Sequence, residues 1–148
     1  MTILYQMCRK LSVGLLGCGQ ATQKYHIPAI KAIDSLKLKW VCDTDESRAR
    51  KTGSREEVDW YTDPESAITA TPDVVHVNTP PFTHKDLTLN SLAAGANVLL
   101  EKPAAMTVEE VDTLIEADNS SSQKVCLVHN NLYFDPMLEV LQSINRGE

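Results

Sequence analysis

LSVGLLGCGQAT, residues 11–22, is the stretch that decides the fold. A near-continuous apolar run passes into Gly17 and Gly19 and then into residues able to start a helix. A strand apolar on both faces is what a parallel sheet covered on each side by helices requires. Gly17 permits a tight turn, and Gly19 lets backbone approach a pyrophosphate. The following helix start, with Gln20 and Ala21, offers free N–H groups and the positive end of its dipole. The third glycine position of the pattern holds Thr22, a departure expected to widen the helix–strand contact. Pro28 should kink or split the helix soon after it begins. By itself G-x-G also suits a turn that binds nothing.

Working outward, further apolar runs occur at LKLKWVC (36–42), DVVHVN (73–78), NVLLE (97–101) and KVCLV (124–128), with a weaker one at VDWYT (58–62). The segments between them carry helix punctuation. Thr107 and Glu110 form a capping box, followed by an apolar stripe of Val108, Val111, Leu114 and Ile115. Asp63–Pro64 and Asp135–Pro136 each read as a cap followed by a first-turn proline. Gly53, Gly95 and Gly147 stand where helix C-terminal glycines belong. The alternation predicts an α/β fold: a doubly wound parallel sheet with right-handed crossovers. Residues 1–135 are expected to form one dinucleotide-binding domain, with 136–148 as a terminal helix or linker.

Asp43 ends the second strand in KWVCDTDES. An acidic side chain there can accept both ribose hydroxyls of an adenosine, or it can cap the next helix. The first reading favours NAD over NADP, although Thr44 and Arg48 leave NADP possible. The net charge of −6 argues against a nucleic-acid partner. An anionic cofactor is still compatible with it, because a glycine loop attracts phosphate locally. Cys8, Cys18, Cys42 and Cys126 form no C-x-x-C pair, so neither a disulfide framework nor a metal site is expected, and a reduced, cytoplasmic setting fits best. Cys18 reads as small packing material and His76, inside an apolar strand, as a core residue. No apolar run reaches the length of a membrane span.

VNTPPFTHKDLTLNSLAAGANVLLEKPAAMTVEEV (77–111) carries T-P-P-x-x-H and then A-G-x-x-V-L-x-E-K-P. In combination these motifs resemble the Gfo/Idh/MocA oxidoreductase family, over about Leu11 to Pro136. The resemblance implies a Rossmann NAD(P)-binding domain with Lys102 as the catalytic residue, beside the nicotinamide ribose and the substrate. Glu101 would hold the cofactor or orient that lysine, and Pro103 would fix the turn through a bond that the family often has as cis. Asn78, Thr79 and Pro80 would pass under the cofactor, with His84 near its nicotinamide end. VHNNLYFDPM (128–137) resembles the family's N-x-R-F-x-P stretch and adds Asn131 to the cofactor contacts. Tyr133 stands where the family has arginine, which puts a substrate role there in doubt.

The implied function is hydride transfer between a nicotinamide cofactor and a sugar, cyclitol or related hydroxy compound. The family's second, α+β domain, which carries its acid–base residue, finds no counterpart in these 148 residues. The chain alone is therefore expected to be inactive or weak, to meet a polyhydroxy substrate only with a second domain, and to form a homo-oligomer through the surface left open. The alternatives are a non-catalytic dinucleotide-binding sensor or regulatory subunit, and a domain for another adenosine ligand such as S-adenosylmethionine. No membrane partner is expected.

Overall fold

The structure, a computed structural model, describes residues 9–129 and 135–147. Six strands run in parallel: β1 (Leu11–Leu16), β2 (Leu36–Cys42), β3 (Asp59–Tyr61), β4 (Val74–Val77), β5 (Asn97–Leu100) and β6 (Val125–Leu127). Their order is β3-β2-β1-β4-β5-β6, so the glycine-bearing first strand lies at the centre, where the order reverses. Open sheets of this kind bind ligands beyond the carboxyl ends of the strands at that reversal. The helices are α1 (Ile27–Ala32), α2 (Glu46–Glu56), α3 (Pro64–Thr69), α4 (His84–Ala93), α5 (Val108–Ser120) and α6 (Asp135–Arg146). Among the described residues no helix is long and apolar enough to cross a membrane.

The continuous apolar strands are explained by a core on each face. Val13, Leu15 and Val41 pack with Ile27 and Ile30 of α1. Leu16, Trp40, Val75, Val77, Val98 and Leu100 pack on the opposite face with Ile68, Leu92 and Leu114, from α3, α4 and α5. A fully buried Val or Leu of this kind contributes roughly 1.5–3 kcal/mol relative to an exposed one. Trp40 needs Gly14 opposite it. A Cβ on Gly14 would stand 2.2 Å from the indole ring, so the two residues together set the β1–β2 spacing.

The predicted strands all form, each within a residue of its expected ends. Several finer expectations are corrected. Gly53 does not end a helix: it sits inside α2, and Glu57 takes the left-handed conformation, φ 57°, at the C-cap. Glycine is needed at 53 for space, since a Cβ there would lie 2.7 Å from Cβ of Trp60. Of the stripe on α5, Leu114 is buried while Val108 and Ile115 are exposed. Thr107 does cap α5, accepting from the Glu110 N–H at 3.3 Å, but Glu110 accepts from the Met106 N–H at 2.9 Å, one residue before the cap. Pro28 divides its helix as expected: a π-turn over Thr22–His26 gives way to α1, with the proline in its first turn. Asp63 caps α3 with Pro64 in the first turn, and Gly95 (φ 89°) and Gly147 (φ 76°) follow α4 and α6 in left-handed conformations.

Candidate functional site

The glycine loop is held by the strand beside it. Gly17 has φ 91°, and a Cβ on it would stand 2.7 Å from the carbonyl oxygen of Asn78 at the end of β4. The Asn78 N–H donates to the Leu16 carbonyl at 2.8 Å, and the Gly17 N–H to that of Cys42 at 2.8 Å. The loop thus lies against β4 so closely that only glycine fits. Gly19 is the opposite case, with nothing within 4 Å of a Cβ built on it. Thr22 does not act as the wedge expected at the third glycine position. It is fully buried, its hydroxyl donates to the Gly17 carbonyl, and it accepts from Asn78 Nδ2 at 3.0 Å. That leaves Asn78 Oδ1 buried and unpartnered. Among the described residues no side chain caps the helix start that follows the loop.

The two readings of Asp43 separate cleanly. Asp45 is the cap of α2, accepting from the Arg48 N–H at 3.0 Å. Asp43, buried to 8% exposure, accepts from the Cys18 N–H in the middle of the glycine loop at 2.8 Å and from the Asp45 N–H at 2.9 Å. The Arg48 guanidinium lies 3.4 Å from Asp43 Oδ1 and 3.2 Å from Asp45 Oδ2. Burial pushes the Cys18 thiol up to about 11 and the Cys42 thiol to about 12. Both are protonated at neutral pH, and neither is an activated nucleophile.

A cleft of about 810 Å³ opens over the carboxyl ends of the central strands. It brings together Gly17, Gly19, Asp43, Thr44, Asn78, Thr79 and Pro80, all named from the sequence. It adds Arg48, Pro64, Phe82, Thr83, Asp86 and Leu87. Phe82 was missed as a site residue because it occupies an unspecified position of T-P-P-x-x-H. Its signal would have been an aromatic ring in a polar turn, and it is 71% exposed at the cleft. Gln20 and Ala21 stand at the helix start beside the cleft without lining it. A second hollow of about 760 Å³ runs along β2 and β3, past Lys39 and Trp60, and holds none of the residues predicted for the site.

The E-K-P turn follows β5. The Glu101 N–H donates to the Val77 carbonyl at 3.0 Å, and the Lys102–Pro103 bond is cis. Glu101 accepts the Lys102 N–H on Oε2 at 3.1 Å, and its Oε1 lies 3.1 Å from His26 Nε2. Lys102 is exposed, and among the described residues its amine has no polar partner. His84 is fully buried, not open to the cleft. Its Nδ1 lies 2.8 Å from the Pro103 carbonyl and its Nε2 2.8 Å from the Thr79 carbonyl, so it staples the T-P-P turn to the E-K-P turn. His76 is in the core as expected, with Nδ1 3.1 Å from Nδ1 of His26. Burial, and then the charge of His26, take the His76 ring down to about 3. Asn131, Tyr133 and Phe134 lie outside the described residues.

Residues 11–129 match the oxidoreductase family with an NAD-binding Rossmann fold, Gfo/Idh/MocA. The chain belongs to this family. Its described fold is the NAD(P)-binding Rossmann domain of these oxidoreductases, as the E-K-P and T-P-P-x-x-H motifs implied. Among its Gfo/Idh/MocA relatives, the D-glucoside 3-dehydrogenase of Escherichia coli is 36% identical over 102 residues, covering 68% of this chain and 29% of the relative. The scyllo-inositol 2-dehydrogenase (NADP(+)) of Bacillus subtilis is 26% identical over 139 residues, covering 93% of this chain and 38% of the relative. The WlbA dehydrogenase of Bordetella pertussis, solved with NADH and UDP-GlcNAcA, superimposes with a TM-score of 0.88 at 25% identity, over 94% of this chain and 43% of that one. The chain therefore spans less than half the length of each of these proteins.

Proposed function

We propose that the cleft binds NAD and that the chain is the cofactor-binding part of an oxidoreductase acting on a sugar, cyclitol or related hydroxy compound. One observation carries this reading: the open face of Gly19 and the Asp43 carboxylate line a single cleft, beside an uncapped helix start. These groups fit the two ends of an adenosine diphosphate. The N–H groups of Gly19, Gln20 and Ala21 suit the diphosphate, whose charge is favoured at a helix N-terminus. Asp43 and Thr44 suit the adenosine ribose. Asn78, Thr79 and Pro80 line the cleft, Glu101 and Lys102 stand outside its lining, and Asn131 keeps its place as a family match outside the described residues. The polyhydroxy substrate class is supported by what the relatives' names state, a glucoside and an inositol.

When bound, the nicotinamide supplies or accepts the hydride. Lys102 is then the catalytic residue: its exposed amine can donate a hydrogen bond to the substrate oxygen and favour the charge that develops there. Glu101 and His84 hold the turn that carries it. His84 reaches the nicotinamide end through two backbone carbonyls, since both its nitrogens are already engaged.

Cofactor choice follows from charge. The Asp43 carboxylate opposes a ribose 2′-phosphate, and Arg48, the cation beside it, is already paired with Asp43 and Asp45. Titration calorimetry is expected to show NADH binding about tenfold or more tighter than NADPH, a difference of about 1.4 kcal/mol. Asp43→Asn removes the charge but turns an NH2 toward the Cys18 or Asp45 N–H, so it should weaken both dinucleotides while narrowing that gap. Equal or tighter NADPH binding by the wild type would overturn the preference for NAD. Affinity for S-adenosylmethionine with none for either dinucleotide would overturn the function itself.

The surface supports self-association. Met137, Val140, Leu141 and Ile144 form an i, i+3, i+4, i+7 stripe on α6, and all four are exposed. Sedimentation velocity should show the average mass rising with concentration, and Ile144→Glu should return the chain to monomer. A sedimentation coefficient independent of concentration would count against this.

A further inference from the structure

Two buried histidines stand behind the E-K-P turn, and neither is used by the cofactor cleft. His26 closes the π-turn Thr22–His26, which begins where the glycine loop ends. Thr22, at the other end of that turn, donates to the Gly17 carbonyl. Such turns are frequent at functional sites. His26 Nε2 faces Glu101 Oε1 at 3.1 Å, and the other oxygen of that carboxylate accepts the Lys102 N–H at 3.1 Å. The backbone of the π-turn therefore joins a hydrogen bond on the glycine loop to a hydrogen-bond chain that ends on the main chain of Lys102.

The proton positions along this chain follow from its two ends. A carboxylate only accepts, so Nε2 of His26 carries the proton facing Glu101. Nδ1 of His26 faces Nδ1 of His76 at 3.1 Å, with one proton shared between the two nitrogens. His76 is neutral in the fold, because burial holds its ring down to about 3. Buried beside His26, it helps to set that ring in one orientation.

We propose that His26 is a positioning residue for Lys102, coupling the glycine loop to the lysine turn through Glu101. Among the described residues the Lys102 amine has no polar tie of its own, so the direction of its side chain depends on how its backbone is held. That backbone is held at its N–H by Glu101, which His26 orients, and beyond it at the Pro103 carbonyl by His84. A ligand diphosphate that draws the glycine loop toward itself also moves the π-turn, His26 and Glu101. Settling of one end of the dinucleotide is thereby communicated to the amine at the other. This coupling rests on the proposed function, in which Lys102 lies at the nicotinamide end.

The test uses the 148-residue chain with His26→Leu, which removes both hydrogen bonds, and His26→Gln, whose amide offers one donor and one acceptor. NADH spans both ends of the cleft, whereas ADP-ribose reaches only the glycine loop and Asp43. His26→Leu is expected to weaken NADH, followed by its fluorescence, about tenfold while ADP-ribose stays within about twofold, and His26→Gln should recover most of the loss. Without any ligand, the amide resonance of Lys102 should shift in His26→Leu and return in His26→Gln, while those of Gly17 and Gly19 stay in place. Equal losses for both ligands, or unchanged NADH affinity together with an unmoved Lys102 amide, would overturn the coupling. Wild-type protein that binds neither ligand would refute the dinucleotide reading instead. The Lys102 resonance would then still decide whether His26 orients the turn.

Discussion

Gly19→Val is expected to fold like the wild type and to lose dinucleotide affinity by about 100-fold or more. The first half follows from the space around Gly19, where an added Cβ meets no atom within 4 Å. The second follows from where that space is: Gly19 lines the cleft, and a branched side chain there fills the volume a diphosphate would occupy. A 100-fold loss corresponds to about 2.7 kcal/mol. Gly17→Ala is the necessary contrast. It places a Cβ 2.7 Å from the Asn78 carbonyl oxygen at φ 91°, so strain and clash both act on the folded state. A backbone carbonyl cannot swing aside as a flexible side chain can. We expect a loss of about 3 kcal/mol, or roughly 6–12 °C in Tm, and weaker binding only as a consequence. Thermal melts and NADH titrations on both variants read the two effects separately. Gly19→Val that bound NADH normally would remove the glycine loop from the site.

Lowering the pH should destabilise the protein well before its carboxylates titrate, through His76. An unfolded histidine titrates near 6.5, whereas burial, and secondarily the charge of His26, take His76 down to about 3 in the fold. Between these values the unfolded chain binds a proton that the folded chain refuses. Stability is therefore fully present above pH 6.5 and falls as the pH drops toward 3, by about 1 kcal/mol per pH unit. Glu56, Asp63, Asp73 and Glu109 have lowered values and act in the same sense, but only at pH below their ordinary 3.8–4.5. The window from pH 6.5 to 4.5 thus lies above the carboxylates, and His76→Asn separates this histidine from the other three. Urea denaturation at pH 7 and pH 5 should show a drop of about 2 kcal/mol for the wild type and a markedly smaller one for His76→Asn. Equal drops in the two proteins would show that another group carries the dependence.

The difference between these glycines and histidines marks how far the sequence could be read. Gly17 and Gly19 are legible because a strand-to-helix turn over a phosphate needs backbone freedom at fixed positions. Asp43 could be read as a ribose partner or as a helix cap, and only the fold shows that Asp45 takes the cap while Asp43 lines the cleft. Gly53 looks identical to a helix-terminating glycine in one dimension. Its actual reason, Trp60 packed 2.7 Å from where its Cβ would be, exists only after β3 has been brought against α2. His84 carried its motif in plain view, but not its burial between two carbonyls.

Strand positions, the parallel class, the glycine turn and the Asp63 and Thr107 caps were determined by the sequence alone. Each depends on preferences of a few neighbouring residues: apolar continuity, glycine's freedom at positive φ, and the reach of a side chain to its own backbone. Tertiary structure decided which buried polar groups meet. Thr22 found Gly17 and Asn78, His26 found Glu101 and His76, and Asp43 found the Cys18 N–H. Those partners come from different strands and helices, and burial away from water makes each pairing obligatory only once the sheet has closed around it.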